Sequence, residues 1–232
     1  MSTNDVRPSA ARDYAAENTV PALGQVSDHG CVRIVRREGG PRVLFFGNSI
    51  TRHSPAPQLG WYGDWGMAAS AREKDYVHLV LAGLEPAHGR VDYCLAQAGA
   101  WERGYWQPEL LEERYRPARE FAADVVIIRI GENVRKEEYA QYAFRPCVER
   151  AIRYLAGPQA RVIVTDPFWF SAELHDDLQA VAQENGCVFC PLGDLSRDEA
   201  NMAVGLFEHH GVSIHPGDLG MRRIADRILQ CL

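Results

Sequence analysis

The chain has 232 residues, 46% of them hydrophobic and 24% charged, which suits one α/β domain with a full core and is short for two. A formal net charge of −6 offers no basic surface to nucleic acid or anionic lipid, and no apolar run of about 18 residues is present to span a membrane. The opening stretch "MSTNDVRPSAARDYAAENTV" lacks an apolar signal core and the six cysteines are scattered, so a cytoplasmic protein with free thiols is expected.

Residues 1–40 precede the first core strand and read as an arm or an extra short strand ahead of a domain spanning 41–232. The first strand, "RVLFF" at 42–46, runs straight into Gly47-Asn48-Ser49. Segment 52–72 follows, too long for an ordinary strand-to-helix loop and with the composition of a structured flap. Residues 73–85 set Tyr76, Val77, Val80, Leu81 and Leu84 on one helical face.

The second run, "VDYCLA" at 91–96, alternates apolar and polar residues and reads as an edge strand. The third, "DVVIIRI" at 124–130, is apolar except for Arg129, which calls for a carboxylate on a nearby loop. A helix over 138–155 contains Pro146, which either kinks it or starts its second half. Then come "RVIVTD" at 161–166, a helix over 172–185 with Ser171 as its cap and Gly186 as its stop, and "CVFCPL" at 187–192. Cys187 and Cys190 face opposite sides of that strand, poorly placed for a disulfide or a metal. Met221, Ile224, Ala225, Ile228, Leu229 and Leu232 mark the last helix. Five strands alternating with helices predict a five-stranded parallel sheet of order 2-1-3-4-5 in a three-layer α/β/α domain.

In such a sheet, ligands bind outside the carboxyl ends of the strands. Those ends carry Ser49, Gly99 in "AQAGAWERGYW", Asn133 in "GENVR", and His215 in "HHGVSIHPGDLGM" before the last helix. A serine hydroxyl needs an adjacent base, which His215 offers. The oxyanion of an acyl-transfer intermediate needs aimed donors, which the Ser49 N–H, the Gly99 N–H and the Asn133 amide offer. Alone, Ser49 reads as a helix cap and His215 as a helix-start residue beside Pro216; together they read as chemistry. His209 and His210 are adjacent and lack partners at ligand spacing, so no metal and no other cofactor is expected.

The blocks "GNSI" at 47–50, Gly99, "GEN" at 131–133 and "HPGDLGM" at 215–221, in that order, resemble those of the SGNH (GDSL-type) hydrolases. The resemblance implies a flavodoxin-like fold and metal-free ester hydrolysis, with Ser49 as nucleophile and His215 as base. The sequence departs from the family's D-x-x-H pattern: Val212 stands where the acid is usual. Three readings stay open: a Ser–His dyad with a backbone carbonyl on the second imidazole nitrogen, another acid such as Glu208 or Asp194, or an inactive site.

All five tryptophans (Trp61, Trp65, Trp101, Trp106 and Trp169) follow a predicted strand's carboxyl end, which points to an aromatic-lined substrate pocket. An aromatic wall suits a sugar face, and esterases resembling this chain often act on sugar O-acetyl groups. The expected activity is therefore hydrolysis of a small acyl ester, acetyl first, on a carbohydrate or other small molecule. A glycan-binding or scaffold protein on the same fold, or an acyltransferase or thioesterase, are the alternatives.

Overall fold

Strands that are apolar on both faces can be buried only in a sheet covered by helices on each side. The computed structural model, which describes residues 12–37 and 39–232, has that arrangement. Its strands are β1 Val32–Val35, β2 Arg42–Gly47, β3 Asp92–Gln97, β4 Val125–Arg129, β5 Arg161–Thr165 and β6 Val188–Cys190. The sheet order is β1-β3-β2-β4-β5-β6, parallel throughout except that β1 runs antiparallel to β3. The five core strands thus take the expected 2-1-3-4-5 order.

Two expectations change. The sheet has six strands rather than five, because part of the N-terminal extension pairs Val32 through Val35 with Ala96 back to Tyr93. β3 is therefore not an edge and is buried along its length. Its polar residue Asp92 is served by the extension itself: the Arg37 N–H donates to its carboxylate at 2.6 Å and Arg36 lies 3.5 Å away. Residues 1–11 of the predicted extension, and residue 38, lie outside the described residues.

The longer helices are α1 Tyr76–His88, α2 Glu109–Glu120, α3 Lys136–Gln141, α4 Phe144–Leu155, α5 Ala172–Glu184 and α6 Asp218–Gln230. Alternation along the strands sorts the core into two layers. Val43, Phe45, Ile127 and Ile163 face α1 and α6, while Leu44, Phe46, Val126 and Ile128 face α2, α4 and α5. Each such side chain contributes about 1.5–3 kcal/mol by leaving water. Asp75 caps α1 by accepting from the His78 N–H at 2.8 Å, and Ser171 caps α5.

The helix expected over 138–155 is two helices, broken at residues 142–143, with Pro146 in the first turn of the second. Proline is tolerated there because that turn's N–H groups have no intrahelical acceptor. No described helix is long and apolar enough to cross a membrane. All six cysteines are unpaired.

Candidate active site

β2 delivers Ser49 to the carboxyl edge of the sheet. No helix starts there. Asn48 O accepts from the N–H groups of Thr51 and Arg52, making a tight turn that leads into the flap, so the capping role for Ser49 does not arise. Gly47 permits the turn: a Cβ there would sit 2.1 Å from Thr51 Oγ1 and 2.9 Å from Arg129 O.

Ser49 Oγ lies 2.9 Å from His215 Nε2, across 166 residues of sequence. The other ring nitrogen, Nδ1, lies 2.6 Å from Gly211 O. A carbonyl only accepts, so Nδ1 carries the proton and Nε2 is left as the acceptor for the serine hydroxyl. That tautomer is the one a general base needs. Trp169 packs edge-on against the imidazole, centroids 4.9 Å apart, and its Nε1–H is fixed to Ile214 O at 3.1 Å. His215 is 0% exposed and Ser49 2%. Burial, aided by the nearby His53 and Arg129, pushes the His215 pKa down to about 3, against the pull of the Gly211 carbonyl.

Neither proposed acid reaches this histidine. Asp194 is held by Arg227, with Nη2 2.7 Å from Oδ2, and Glu208 is exposed on the loop before residues 210–213. The imidazole partner is the Gly211 carbonyl, the first of the three arrangements left open by the sequence.

Asn133 and Glu132 follow β4, and Gly131 makes their loop possible with φ +127° and Pro167 too close for a Cβ. Asn133 Nδ2 donates one hydrogen to Glu102 Oε2 at 2.6 Å, and its second N–H has no acceptor among the described residues. Gly99 is placed differently from expectation. Its N–H donates to Gln97 Oε1 at 2.8 Å, and the Gln97 amide in turn donates to Gln25 Oε1 from the N-terminal segment. A Gly99 contribution to an oxyanion therefore requires the Gln97 side chain to turn away.

Beneath Ser49 lies a buried polar knot that sequence reading missed. Arg129 finds its expected carboxylate in Glu132, three residues on, and also bonds Asn48 Oδ1. Asn48 Nδ2 donates to both Glu132 Oε2 (2.7 Å) and Glu102 Oε1 (3.0 Å). Glu102 belongs to a helical turn at Gly99–Glu102, and its only signal was an acidic residue directly after Trp101 at a strand's carboxyl end.

The tryptophans do not form a shared aromatic wall. Trp61 and Trp65 pack edge-to-face within the flap, 5.6 Å apart, each with its indole N–H on a flap carbonyl. Trp101 packs on Phe46 in the core, and Trp106 stacks on Tyr142 at 4.3 Å. Position in the chain says that a loop is near the site, not which way its side chain turns. Trp169 alone of the five borders an open cavity of about 810 Å³, lined mainly by residues from 13–22, 131–137 and 167–174. That cavity touches Asn133 and is also lined by Asn18, Thr19, Arg103 and Arg135.

Residues 45–223 match the model of the GDSL-like Lipase/Acylhydrolase family. No curated protein sequence matches the chain. Among solved structures, the chain is similar to the psychrotrophic esterase EstA from Pseudoalteromonas sp., in a form inhibited by monoethylphosphonate. Identity there is 12%, covering 82% of this chain and 96% of that one, with a TM-score of 0.49. It is also similar to the salicylyl-acyltransferase SsfX3 of a tetracycline biosynthetic pathway: 13% identity, 84% of this chain, 55% of that one, TM-score 0.49.

Proposed function

The chain belongs to the GDSL-like lipase/acylhydrolase family, and on that premise we propose that it is a serine esterase in which Ser49 attacks a small acyl ester and His215 is the base. The observation that carries the reading is the 2.9 Å contact between Ser49 Oγ and His215 Nε2, with Nδ1 committed to a carbonyl. In the first step the Ser49 proton passes to Nε2 as Oγ bonds to the ester carbon. The resulting oxyanion is met by the Ser49 N–H and the second N–H of Asn133. Collapse expels the alcohol, which takes the proton back from the imidazolium; a water then gives a proton to Nε2 as it attacks the acyl carbon, and Ser49 Oγ leaves with that proton as the acid is released.

The tight enclosure of Ser49 favours a small acyl group, acetyl first. The Asn18, Thr19, Arg103 and Arg135 side chains in the mixed lining of the cavity beside Asn133 support a polyhydroxylated alcohol such as a carbohydrate, now without the help of an aromatic wall. A cytoplasmic location is part of the same proposal, on the scattered spacing of the six cysteines.

p-Nitrophenyl acetate turnover tests the mechanism. Ser49→Ala should lose at least about 10³-fold in kcat while keeping its fold, and wild-type turnover in that variant would overturn the reading. Ser49 should also be the residue modified by an organophosphonate. A series of acetylated sugars against longer acyl esters then tests the substrate class.

A further inference from the structure

Glu102 is 0% exposed, yet every polar contact it makes is as an acceptor. Its Oε1 accepts from Gly131 N–H at 2.5 Å and Asn48 Nδ2 at 3.0 Å, and its Oε2 accepts from Asn133 Nδ2 at 2.6 Å. One carboxylate thus ties together the loops that follow β2, β3 and β4. A carboxamide held by one of its two N–H bonds has its plane fixed, and its other N–H is aimed by that constraint. We propose that Glu102 is a positioning residue for ester hydrolysis, holding the Asn133 carboxamide so that its free N–H points at the developing oxyanion. The inference rests on the esterase reading above.

The surrounding charges make this hold sensitive to pH. Facing Glu102 are the Glu132 carboxylate and, through it, the Arg129 guanidinium from β4, the amides of Asn48 and Asn133, and the Tyr115 phenol from α2. Burial, and then Glu132, push the Glu102 pKa up to about 7, against its three donors. A protonated Glu102 would present an O–H to at least one N–H that now donates to it, so the knot must loosen. Burial pushes His215 the opposite way, so an activity loss just below neutrality points to this buried carboxylate site rather than to the base.

The experiment measures kcat and KM for p-nitrophenyl acetate from about pH 5 to about pH 9 in wild type, Glu102→Gln, Asn133→Ala and the double variant. Wild-type kcat should fall about tenfold per pH unit below about 7. Glu102→Gln, which cannot accept at both ends, should lose on the order of 10²-fold in kcat with KM nearly unchanged and should lose that acid limb. Asn133→Ala should cost about 10²–10³-fold, and the double variant should be no slower than Asn133→Ala alone. Wild-type kcat in Glu102→Gln, or losses that multiply in the double variant, would overturn the proposal. If Glu102→Gln does not fold, Asn133→Ala decides: the acid limb near 7 should vanish in it, and an unchanged limb would overturn the assignment. Ser49→Ala measured alongside separates the two inferences, since its retained turnover would sink the esterase reading itself.

Discussion

Val212 stands three residues before His215, where an acid is usual, and its surroundings show what such an acid would meet. The valine is fully buried with Val20, Ala56, Trp61 and Met67, and the Nδ1–H it would serve is already bound to Gly211 O at 2.6 Å. Val212→Asp should therefore raise no kcat and should cost about 3 kcal/mol of stability, measured by urea unfolding, because the carboxylate enters an apolar cluster without a partner. A large gain in kcat would show that the carbonyl is a poor substitute. This partner was illegible in the sequence for a simple reason: a backbone acceptor leaves no residue identity to read. Glu102 was hidden differently, since its role exists only where three loops distant in sequence converge.

Elements were legible wherever burial wrote a pattern. The core strands carry continuous apolar runs, and α6 has apolar residues three and four apart along its length. The alternation implies a helix where α2 lies, but its residues carry no clear stripe, because "ELLEERYRPARE" buries only Leu111, Tyr115 and Ala118 and turns a charged face to water. The short turn His210–Ser213 was unread, though it sets the angle of His215. It is wedged against the N-terminal segment: a Cβ on Gly211 would lie 2.6 Å from Thr19 Oγ1 and 3.1 Å from Thr19 N. Gly211→Ala should displace the carbonyl that holds the imidazole, lowering kcat by at least about tenfold and stability by about 1–3 kcal/mol. Kinetics and thermal unfolding on the same sample check both, and unaltered kcat would mean the carbonyl's placement is not critical.

For the molecule as a whole, two buried groups of the site bend the stability curve in opposite directions. An unfolded histidine binds its proton near pH 6.5, but folded His215 resists down to about 3, so folding stability falls as pH drops through that window. Glu102 works the other way: its folded acid form persists to about 7 against 4.5 when unfolded, so the stability it confers below 4.5 is lost as pH rises towards 7. Between about 4.5 and 6.5 the two slopes oppose each other. Urea unfolding across pH should show His215→Ala flattening the acid-side loss and Glu102→Gln flattening the loss towards neutrality. Equal slopes in wild type and both variants would show that neither group is as perturbed as its burial implies.

The cavity beside Asn133 takes part of its lining from residues 13–22, ahead of every described strand, while Ser49, Asn133 and His215 all come later in the chain. One hollow is thus assembled from the leading stretch together with the loops that follow β4 and β5. On the esterase reading proposed above, substitutions in the leading stretch should change which alcohol is accepted and leave the Ser49–His215 contact as it is.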